Sequence, residues 1–344
     1  MKNVTRNISV LVAIITLLSC KQSVETDKLV IGRIEYIYNL KLNIDNNIWP
    51  GFSNAQFDVP LIYYTENNCY VANPTDKFLR LINSEPVYKS KTLSVYKTNL
   101  LDSVPLHMEA RIELEDTSVY NYHEPYMKCS SPELTDKFIP DVHTTEMWST
   151  MVMHEYFHGF QFKHSQFLDF YHKNVSISAD TLCKLYKSNN WFKESVDKEN
   201  ELLLKDIDSY SETDIQQAIE EFFKLKDYRF KQTSELLNSD IKTIEENYET
   251  MEGTSRYIEF CLYNKFATMQ PDVNIVKLDS FFNSYRYFEN YSITKDEWLY
   301  LTGAHYYYSI GFNMLRLLDK LKVDYKNRLF NENIFLSDIL REQI

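Results

Sequence analysis

The chain contains little glycine, little proline and a deficit of positive charge. Its 344 residues include 6 glycines and 9 prolines, which argues against long flexible linkers and low-complexity arrays. It contains no internal repeat and no glycine-rich phosphate-binding loop. Lysine and arginine number 37 against 49 acidic residues, for a formal net charge of −12. We therefore expect no nucleic-acid partner and no non-specific attraction to anionic membrane surfaces.

A pronounced apolar run occurs only at the N-terminus. Two basic residues, Lys2 and Arg6, precede a mostly apolar run from Ile8 to Leu18. This run is too short to cross a bilayer as a helix. A secretory signal peptide typically has a basic segment, then a short apolar run, and then a small residue before the cleavage site. The sequence predicts such a peptide over residues 1–19.

The end of this leader, Leu17-Leu18-Ser19-Cys20, resembles the lipobox of bacterial lipoproteins. In that family the cysteine becomes the first mature residue and carries the lipid. The resemblance implies that Cys20 anchors the protein to a membrane of the cell envelope, that residues 20–28 are a tether, and that the folded domain is extracytoplasmic. An ordinary signal peptide followed by a coincidental cysteine is the alternative.

Four cysteines follow the leader: Cys69, Cys129, Cys183 and Cys261. None of them forms a C-x-x-C pair, so a cysteine zinc site is not expected. An envelope location permits disulfides. The spacing does not reveal a pairing, however, and isolated buried thiols are at least equally consistent with it.

The most informative motif lies in Met151–Gln161, which contains His154-Glu155-x-x-His158. Residues four apart share one face of a helix, so both imidazoles can reach one ion. Glu155 lies one step round the helix, where its carboxylate can hold the attacking water instead of the ion. Zinc in catalytic sites takes three protein ligands, and this motif supplies two. The alternative is two histidines that merely flank a glutamate on a half-buried helix.

The pattern of apolar residues up to about residue 142 favours strands. It predicts strands at Leu29–Leu40 and Thr92–Tyr96, a hairpin formed by Pro60–Tyr64 and Cys69–Ala72, and a loop over 128–141. The clearest predicted strand is Met108–Glu115, because apolar and charged residues alternate strictly along it. That alternation is typical of an antiparallel strand with one solvated face. We expect a peptide substrate to add a strand at its edge.

From residue 143 onward the pattern is helical. The active-site helix is predicted over 144–162, with Thr144 or Thr145 as its cap. A helical insertion is predicted over about 165–240, then helices at 241–266, 278–287 and 304–321 and a short segment after residue 335. The predicted fold class is α+β. A β-rich N-terminal lobe covers 29–142, a larger helical lobe covers 143–344, and the active-site helix lies between them.

The third ligand has two main candidates. His164 follows His154 with the spacing of H-E-x-x-H-x-x-G-x-x-H, but Gln161 replaces the glycine that breaks the helix in that motif. If the helix continues, His164 lies about three turns from His154 and cannot reach the same ion. Glu252 is the second candidate, and Glu249, about one turn earlier, is a weaker alternative.

The segment Met251–Tyr257, M-E-G-T-S-R-Y, resembles the N-E-G-F-A-x-Y element of the aminopeptidase N-like gluzincins, whose glutamate completes the zinc site. Met251 stands where that family has asparagine, and 93 residues separate His158 from Glu252. The resemblance therefore implies a gluzincin-like zincin outside that family, with zinc held by His154, His158 and Glu252. The blocks H-E-Y-F-H-G-F-Q, W-P-G-F and E-G-T-S-R-Y also resemble a set of uncharacterised bacterial zincin-like proteins.

Peptide hydrolysis also needs a hydrogen-bond donor for the developing oxyanion. Gluzincins supply a tyrosine or histidine from a downstream helix, and Gly303–Gly311 offers His305, Tyr307 and Tyr308. We prefer Tyr307 or His305. The chain contains 26 tyrosines, so a structural role for each is the alternative.

The predicted function is zinc-dependent peptide-bond hydrolysis by a lipid-anchored extracytoplasmic metallopeptidase that acts on a peptide or protein. Glu155 would take a proton from the attacking water and pass it to the leaving amine. Arg256 and Arg316 are candidates for holding a substrate carboxylate, with ordinary surface pairing as the alternative. Two other functions stay open: a non-catalytic envelope lipoprotein with a zincin-like binding fold, and a hydrolase of non-peptide amides. The substrate, endo- or exo-cleavage and the oligomeric state are not predicted.

Overall fold

A computed structural model describes residues 27–112, 122–174, 177–208, 211–289 and 301–344. The predicted signal peptide 1–19 and the predicted anchor Cys20 lie outside the described residues. So does the predicted tether 20–28, except for residues 27 and 28, which already belong to a helix. The described residues form an α+β fold, as predicted.

The strands of the described part are β1 (Leu61–Tyr64), β2 (Cys69–Ala72), β3 (Ser84–Lys89), β4 (Ser94–Thr98), β5 (Met108–Arg111) and β6 (Tyr126–Ser130). The helices before the H-E-x-x-H motif are α1 (27–47), α2 (Asp76–Leu79) and α3 (Pro132–Phe138). Those that follow are α4 (Thr145–Phe162), α5 (Ser165–Asn174), α6 (Ala179–Ser188), α7 (Asn190–Asp208), α8 (Glu212–Leu237), α9 (Ile241–Phe266), α10 (Val273–Leu278), α11 (Tyr306–Lys320) and α12 (Leu336–Arg341).

The six strands form one sheet in the order β3-β4-β2-β1-β6-β5. β1 and β6 are parallel and the other pairs are antiparallel. The central strands β1, β2 and β6 are buried along their whole length, which explains their apolar runs. One face of the sheet belongs to the main core with α1 and α4. The other face carries a smaller core around Ile62, Phe78 and Tyr126.

The predicted strand at Leu29–Leu40 is wrong, because this segment belongs to α1. Its buried residues Val30, Ile34, Ile37 and Ile44 follow one another at helical intervals of three, four and seven. The strand propensity of β-branched side chains is weak. Burial of the apolar stripe along one face of the helix outweighs it. The helix also buries Arg33, which makes two hydrogen bonds to Asp279, of 2.7 and 2.8 Å.

The predicted loop over 128–141 is also wrong. Its first residues complete β6, which lies between β1 and β5, and its middle forms α3. Ser131 follows the strand and caps the helix, since its hydroxyl accepts a hydrogen bond from the amide of Leu134. Pro132 occupies the first helical turn. This Ser-Pro pair is a helix-start signal that the overall polarity of the segment concealed.

The helix predicted over 278–287 is not formed. α10 ends at Leu278, and Asp279 turns the chain with its carboxylate held by Arg33. Ser284 and Tyr285 then take the left-handed conformation, with φ of 54° and 62°, before a 3-10 turn at Arg286–Phe288. Positive φ at two successive residues excludes a continuous helix.

Other predicted elements are confirmed. The hairpin forms from β1 and β2, the strand near residues 92–96 is β4, and the four predicted residues Met108–Arg111 form β5. The part of the predicted strand beyond Ile112 lies outside the described residues. The described residues of 165–240 are mostly helical, in α5 to α8. Ser211 caps α8 through the amide of Asp214. α9 spans the predicted 241–266, and α11 lies within the predicted 304–321.

The four cysteines of the described part are free thiols. Cys69, Cys129 and Cys183 are buried and Cys261 is half-buried, which confirms the isolated thiols that the spacing left open. Among the helices that the structure describes, none combines the length and apolarity of a membrane span.

Candidate metal centre

The helix that carries the H-E-x-x-H motif is fixed at its first turn by three hydrogen-bonded side chains. Thr144 caps α4 through its side chain. The hydroxyl of Thr145 donates a hydrogen bond of 2.7 Å to Asp279 Oδ2. The indole N–H of Trp148 donates one of 2.8 Å to the carbonyl of Ser130 at the end of β6. These bonds fix α4 against the sheet and orient the face that bears the two histidines.

His154, His158 and Glu252 meet where α4 packs against α9. Nε2 of His154 lies 3.1 Å from Nε2 of His158. Glu252 Oε2 lies 3.3 Å from the first nitrogen and 3.2 Å from the second. In a regular tetrahedron, ligand atoms separated by these distances lie about 2.0 Å from the centre, which is the bond length of zinc to nitrogen and oxygen. The donor set and its spacing therefore fit a zinc ion.

The opposite nitrogen of each imidazole lies next to a polar side chain. Nδ1 of His154 lies 3.2 Å from Glu259 Oε1. Nδ1 of His158 lies 2.8 Å from Gln161 Oε1 and 3.2 Å from the hydroxyl of Ser255. Such partners fix the tautomer, because a ring nitrogen that donates to them leaves Nε2 unprotonated and able to bind metal.

Gln161, which stands at the position of the missing glycine, links the two helices. Its side-chain amide donates a hydrogen bond of 3.0 Å to the carbonyl of Met251 and one of 2.6 Å to the hydroxyl of Thr254. Its carbonyl oxygen meets His158. Gln161 thus fixes α9 against α4 directly beside Glu252, and α4 continues through this position to Phe162.

The electrostatics of the cluster favour positive charge between its carboxylates. Burial lowers the pKa of His154, but Glu259 and Glu252 raise it more, to about 10. Burial also lowers the pKa of His158, and Glu252 reverses that shift to a net increase. Burial raises the pKa of Glu252, and the two imidazoles then hold it well below its usual range. Buried carboxylates need this compensation, which either protons on the imidazoles or a divalent cation can provide.

Glu155 lies beside the two histidines, and its carboxylate reaches the sheet. Its Oε2 accepts a hydrogen bond of 3.2 Å from the backbone amide of Ala110 in β5. Burial raises the pKa of Glu155, and His158 and His154 oppose that shift. β5 is an edge strand of the sheet formed by the described residues, with β6 on its other side. The strand predicted to receive a substrate therefore lies at an edge and beside the cluster.

Two glycines bring α11 close to α9. A side chain at Gly253 would place its Cβ 2.5 Å from the backbone of Gly311, and one at Gly311 would collide with the carbonyl of Glu249. Only glycine permits this approach of two backbones. It brings Tyr308, about one turn before Gly311, against the ring of His154, with ring centroids 5.8 Å apart.

Of the three predicted oxyanion donors, the structure brings Tyr308 and His305 to the cluster and turns Tyr307 away. Burial and the carboxylates of Glu252 and Glu155 raise the pKa of Tyr308 well above its ordinary value. The hydroxyl of Tyr307 instead faces Cys183. Successive residues of a helix point about 100° apart, so α11 can present only one of the two tyrosines. We preferred Tyr307 from the sequence, whereas the geometry favours Tyr308 as the donor.

The two other candidate ligands lie elsewhere. Nδ1 of His164 donates a hydrogen bond of 2.9 Å to the carbonyl of Phe160, and its ring stacks on Phe57 with centroids 4.1 Å apart. Glu249 accepts a hydrogen bond of 2.5 Å from the buried ammonium of Lys226. Within the described ranges, His154, His158 and Glu252 are the group of ligand-type side chains close enough to share an ion.

Two cavities open beside the cluster. The first, of about 290 Å³, is lined by His154, Glu155, Glu259 and Met151, and the second, of about 400 Å³, by residues 301–304 and Ser309. Both are also lined by Arg256, His305 and Tyr308. These shared walls join the cavities into one cleft that leads from the candidate metal centre along the start of α11.

Glu259 and the contacts of Gln161 were not predicted from the sequence. Glu259 follows Glu252 by seven residues, which is two helical turns, so both face the same way on α9. That spacing was a usable signal for a carboxylate behind a histidine ligand. Gln161 offered no such signal, because its partners Met251 and Thr254 lie about 90 residues further along the chain.

Comparison with protein-family models, with curated proteins and with solved structures finds no match to this chain.

Proposed function

We propose that this protein is a zinc-dependent metallopeptidase with a zincin-like fold. The observation that carries the proposal is the triangle of Nε2 of His154, Nε2 of His158 and Oε2 of Glu252, with sides of 3.1 to 3.3 Å. Two imidazoles and one carboxylate on two helices, with Glu155 next to the first histidine, are the donor set of a hydrolytic zinc site.

The residues around the triangle have complementary roles. Zinc bound there would polarise the scissile carbonyl and lower the pKa of water. Glu155 takes the proton of the attacking water and passes it to the leaving amine, and its raised pKa makes it a better base than an exposed glutamate. Tyr308 keeps its phenolic proton because its pKa is raised, so it can donate a hydrogen bond to the developing oxyanion.

The edge strand β5 provides a way to hold a peptide. An extended peptide can pair with the exposed edge of a sheet through main-chain hydrogen bonds. The amide of Ala110 points from this edge towards Glu155, so a peptide paired with β5 would run past the proposed base. This arrangement supports peptides, rather than small amides, as the substrate class.

Metal content and turnover test the proposal together. The purified mature protein should contain about one zinc per chain, and Glu155→Gln should retain it while hydrolysis of a peptide library falls by about 10²- to 10⁴-fold. His154→Ala should lose zinc and activity together. Wild-type protein that binds zinc but cleaves no peptide would instead favour the non-catalytic lipoprotein. Equal turnover by wild type and Glu155→Gln would exclude this site as the source of hydrolysis.

We also propose that Cys20 anchors the domain to the outside of a cell-envelope membrane. The proposal rests on the lipobox-like Leu17-Leu18-Ser19-Cys20 after a short apolar run. Wild-type protein should incorporate a labelled fatty acid and sediment with membranes, and Cys20→Ser should do neither. Incorporation of label by Cys20→Ser would contradict it.

A further inference from the structure

The second cavity of the cleft is lined by one positively charged side chain. Its lining residues are Leu301, Thr302, Gly303, Ala304, Ser309 and the shared Arg256, His305 and Tyr308. Arg256 is the only lysine, arginine, aspartate or glutamate among these described residues. The first cavity, by contrast, includes the carboxylates of Glu155 and Glu259. Among the lining residues that the structure describes, a substrate group in the second cavity therefore meets one fixed positive charge, that of Arg256, and no carboxylate.

The side chain of Arg256 is held in position at this point. Arg256 follows Glu252 by one turn of α9, a rise of about 6 Å, so it projects from the same face as the proposed ligand. Its guanidinium carbon lies 4.9 Å from the centroid of the Tyr308 ring, and its Nε lies 3.4 Å from Glu259 Oε2. A guanidinium stacked on an aromatic ring presents its planar fork of N–H donors to a carboxylate.

The charge balance of the site permits an anionic group here. With a divalent ion bound, the ion and Arg256 carry three positive charges, and Glu155, Glu252 and Glu259 carry up to three negative ones. Without Arg256 the balance would be negative and would repel an anion. The other arginine that the sequence suggested, Arg316, stacks on Phe260 and Phe312 and lines neither cavity.

We propose that Arg256 is a specificity residue that selects substrates bearing a carboxylate within about two residues of the scissile bond, a reach set by the single helical turn between Arg256 and Glu252. The inference rests on the proposed peptidase function and narrows its substrate class. The carboxylate has two possible sources, the C-terminus of the substrate or an acidic side chain. Both would bind the same guanidinium.

Matched peptide pairs test the proposal in the mature full-length protein. One library is made with free C-termini and as C-terminal amides, and another with glutamate or glutamine near the cleaved bond. Wild type should cleave the charged member of at least one set with about 10- to 100-fold higher kcat/KM, the range expected for a charge-assisted hydrogen bond. The set that shows the preference identifies the source of the carboxylate.

Three variants test whether Arg256 causes the preference for charged substrates. Arg256→Gln should bring the ratio of charged to neutral substrates close to one, while Arg316→Gln should leave it unchanged. Arg256→Lys keeps the charge but loses the fork, so it should retain part of the preference. Zinc content and thermal stability of each variant show whether the loss of the Arg256–Glu259 contact has disturbed the metal site instead.

Measurements of peptide binding distinguish a failure of this inference from a failure of the proposed peptidase function. Zinc-loaded Glu155→Gln protein binds the same peptide pairs without turnover, so their affinities report on Arg256 even if the wild type does not hydrolyse them. Tighter binding of charged peptides without hydrolysis by wild type would support the inference and overturn the peptidase. Hydrolysis with no preference for the charged members would overturn the inference and leave the peptidase standing. Neither binding nor hydrolysis would overturn both.

Discussion

The carboxylate of Glu259 lies 3.2 Å from Nδ1 of His154, on the side of the ring away from Glu252. The two residues are on different helices, and both are buried. The carboxylate thus lies behind the imidazole, whose Nε2 faces Glu252 and His158. A carboxylate behind a histidine ligand also makes the imidazole a stronger base towards a metal ion.

Removing this carboxylate should weaken zinc binding. Glu259→Gln should raise the zinc Kd about 10- to 100-fold, because outer partners of ligating histidines typically have effects of that size. Competition with a chromophoric chelator measures the Kd. Glu332→Gln is the matched control, since Glu332 is exposed and pairs with Arg328. An unchanged Kd in Glu259→Gln would mean that the contact does not orient His154.

The two neighbouring tyrosines of α11 should differ in turnover. Tyr308→Phe keeps the ring that stacks on His154 but removes the proposed donor, so kcat should fall by about 10²- to 10³-fold with zinc content unchanged. Tyr307→Phe is the matched control, because that hydroxyl faces Cys183. Steady-state kinetics on one cleaved peptide compare them. A larger loss in Tyr307→Phe would reverse the assignment.

The contact of Gly253 with Gly311 should be intolerant of any side chain. Gly311→Ala places a methyl group against the carbonyl of Glu249, so the helices must separate and the free energy of unfolding should fall by about 1 to 3 kcal/mol or more. Chemical denaturation measures it. Gly303→Ala is the control, since nothing lies within 4 Å of the added Cβ there. Equal stability of both variants would contradict the close packing.

A buried ionic network should make the protein acid-sensitive. Glu245 of α9 is fully buried and accepts hydrogen bonds from Arg229, Lys226 and Tyr306. Burial alone would raise the pKa of Glu245, but Arg229 and Lys226 lower it from 4.5 to about 2. A folded-state pKa below the unfolded one stabilises the protein above pH 4.5, and this contribution, about 3 kcal/mol, is lost as the pH falls towards 2.

Glu245→Gln should therefore be less stable than wild type at pH 7, and the difference should shrink as the pH approaches 2. Urea denaturation at several pH values, with a chelator present, measures both free energies of unfolding. Glu235→Gln removes an exposed glutamate and should follow the wild-type curve. A constant difference between wild type and Glu245→Gln across this range would mean that Glu245 does not titrate as described.

Much of the candidate site was predictable because its parts are local. The spacing of His154 and His158 follows from the helical repeat, and Thr144 and Ser211 are recognisable caps. Glu252 could be proposed from the short segment around it. The secondary-structure predictions were wrong where residue propensity and residue spacing pointed to different structures. In α1, β-branched and aromatic residues suggested a strand, while the spacing of Val30, Ile34 and Ile37 was helical.

Local sequence patterns were sufficient for the secondary structure of the strongly periodic segments and for the residue types available for metal and proton chemistry. Both depend on neighbours within about one or two helical turns. The packing of the helices places Glu252 and not His164 with the two histidines, and it turns Tyr308 rather than Tyr307 towards them. It also decided that Glu259 supports His154. These outcomes depend on the rotation of α4, α9 and α11 about their axes and on the distances between them. Contacts between residues far apart in the chain set this geometry, such as Gln161 with Thr254 and Gly253 with Gly311.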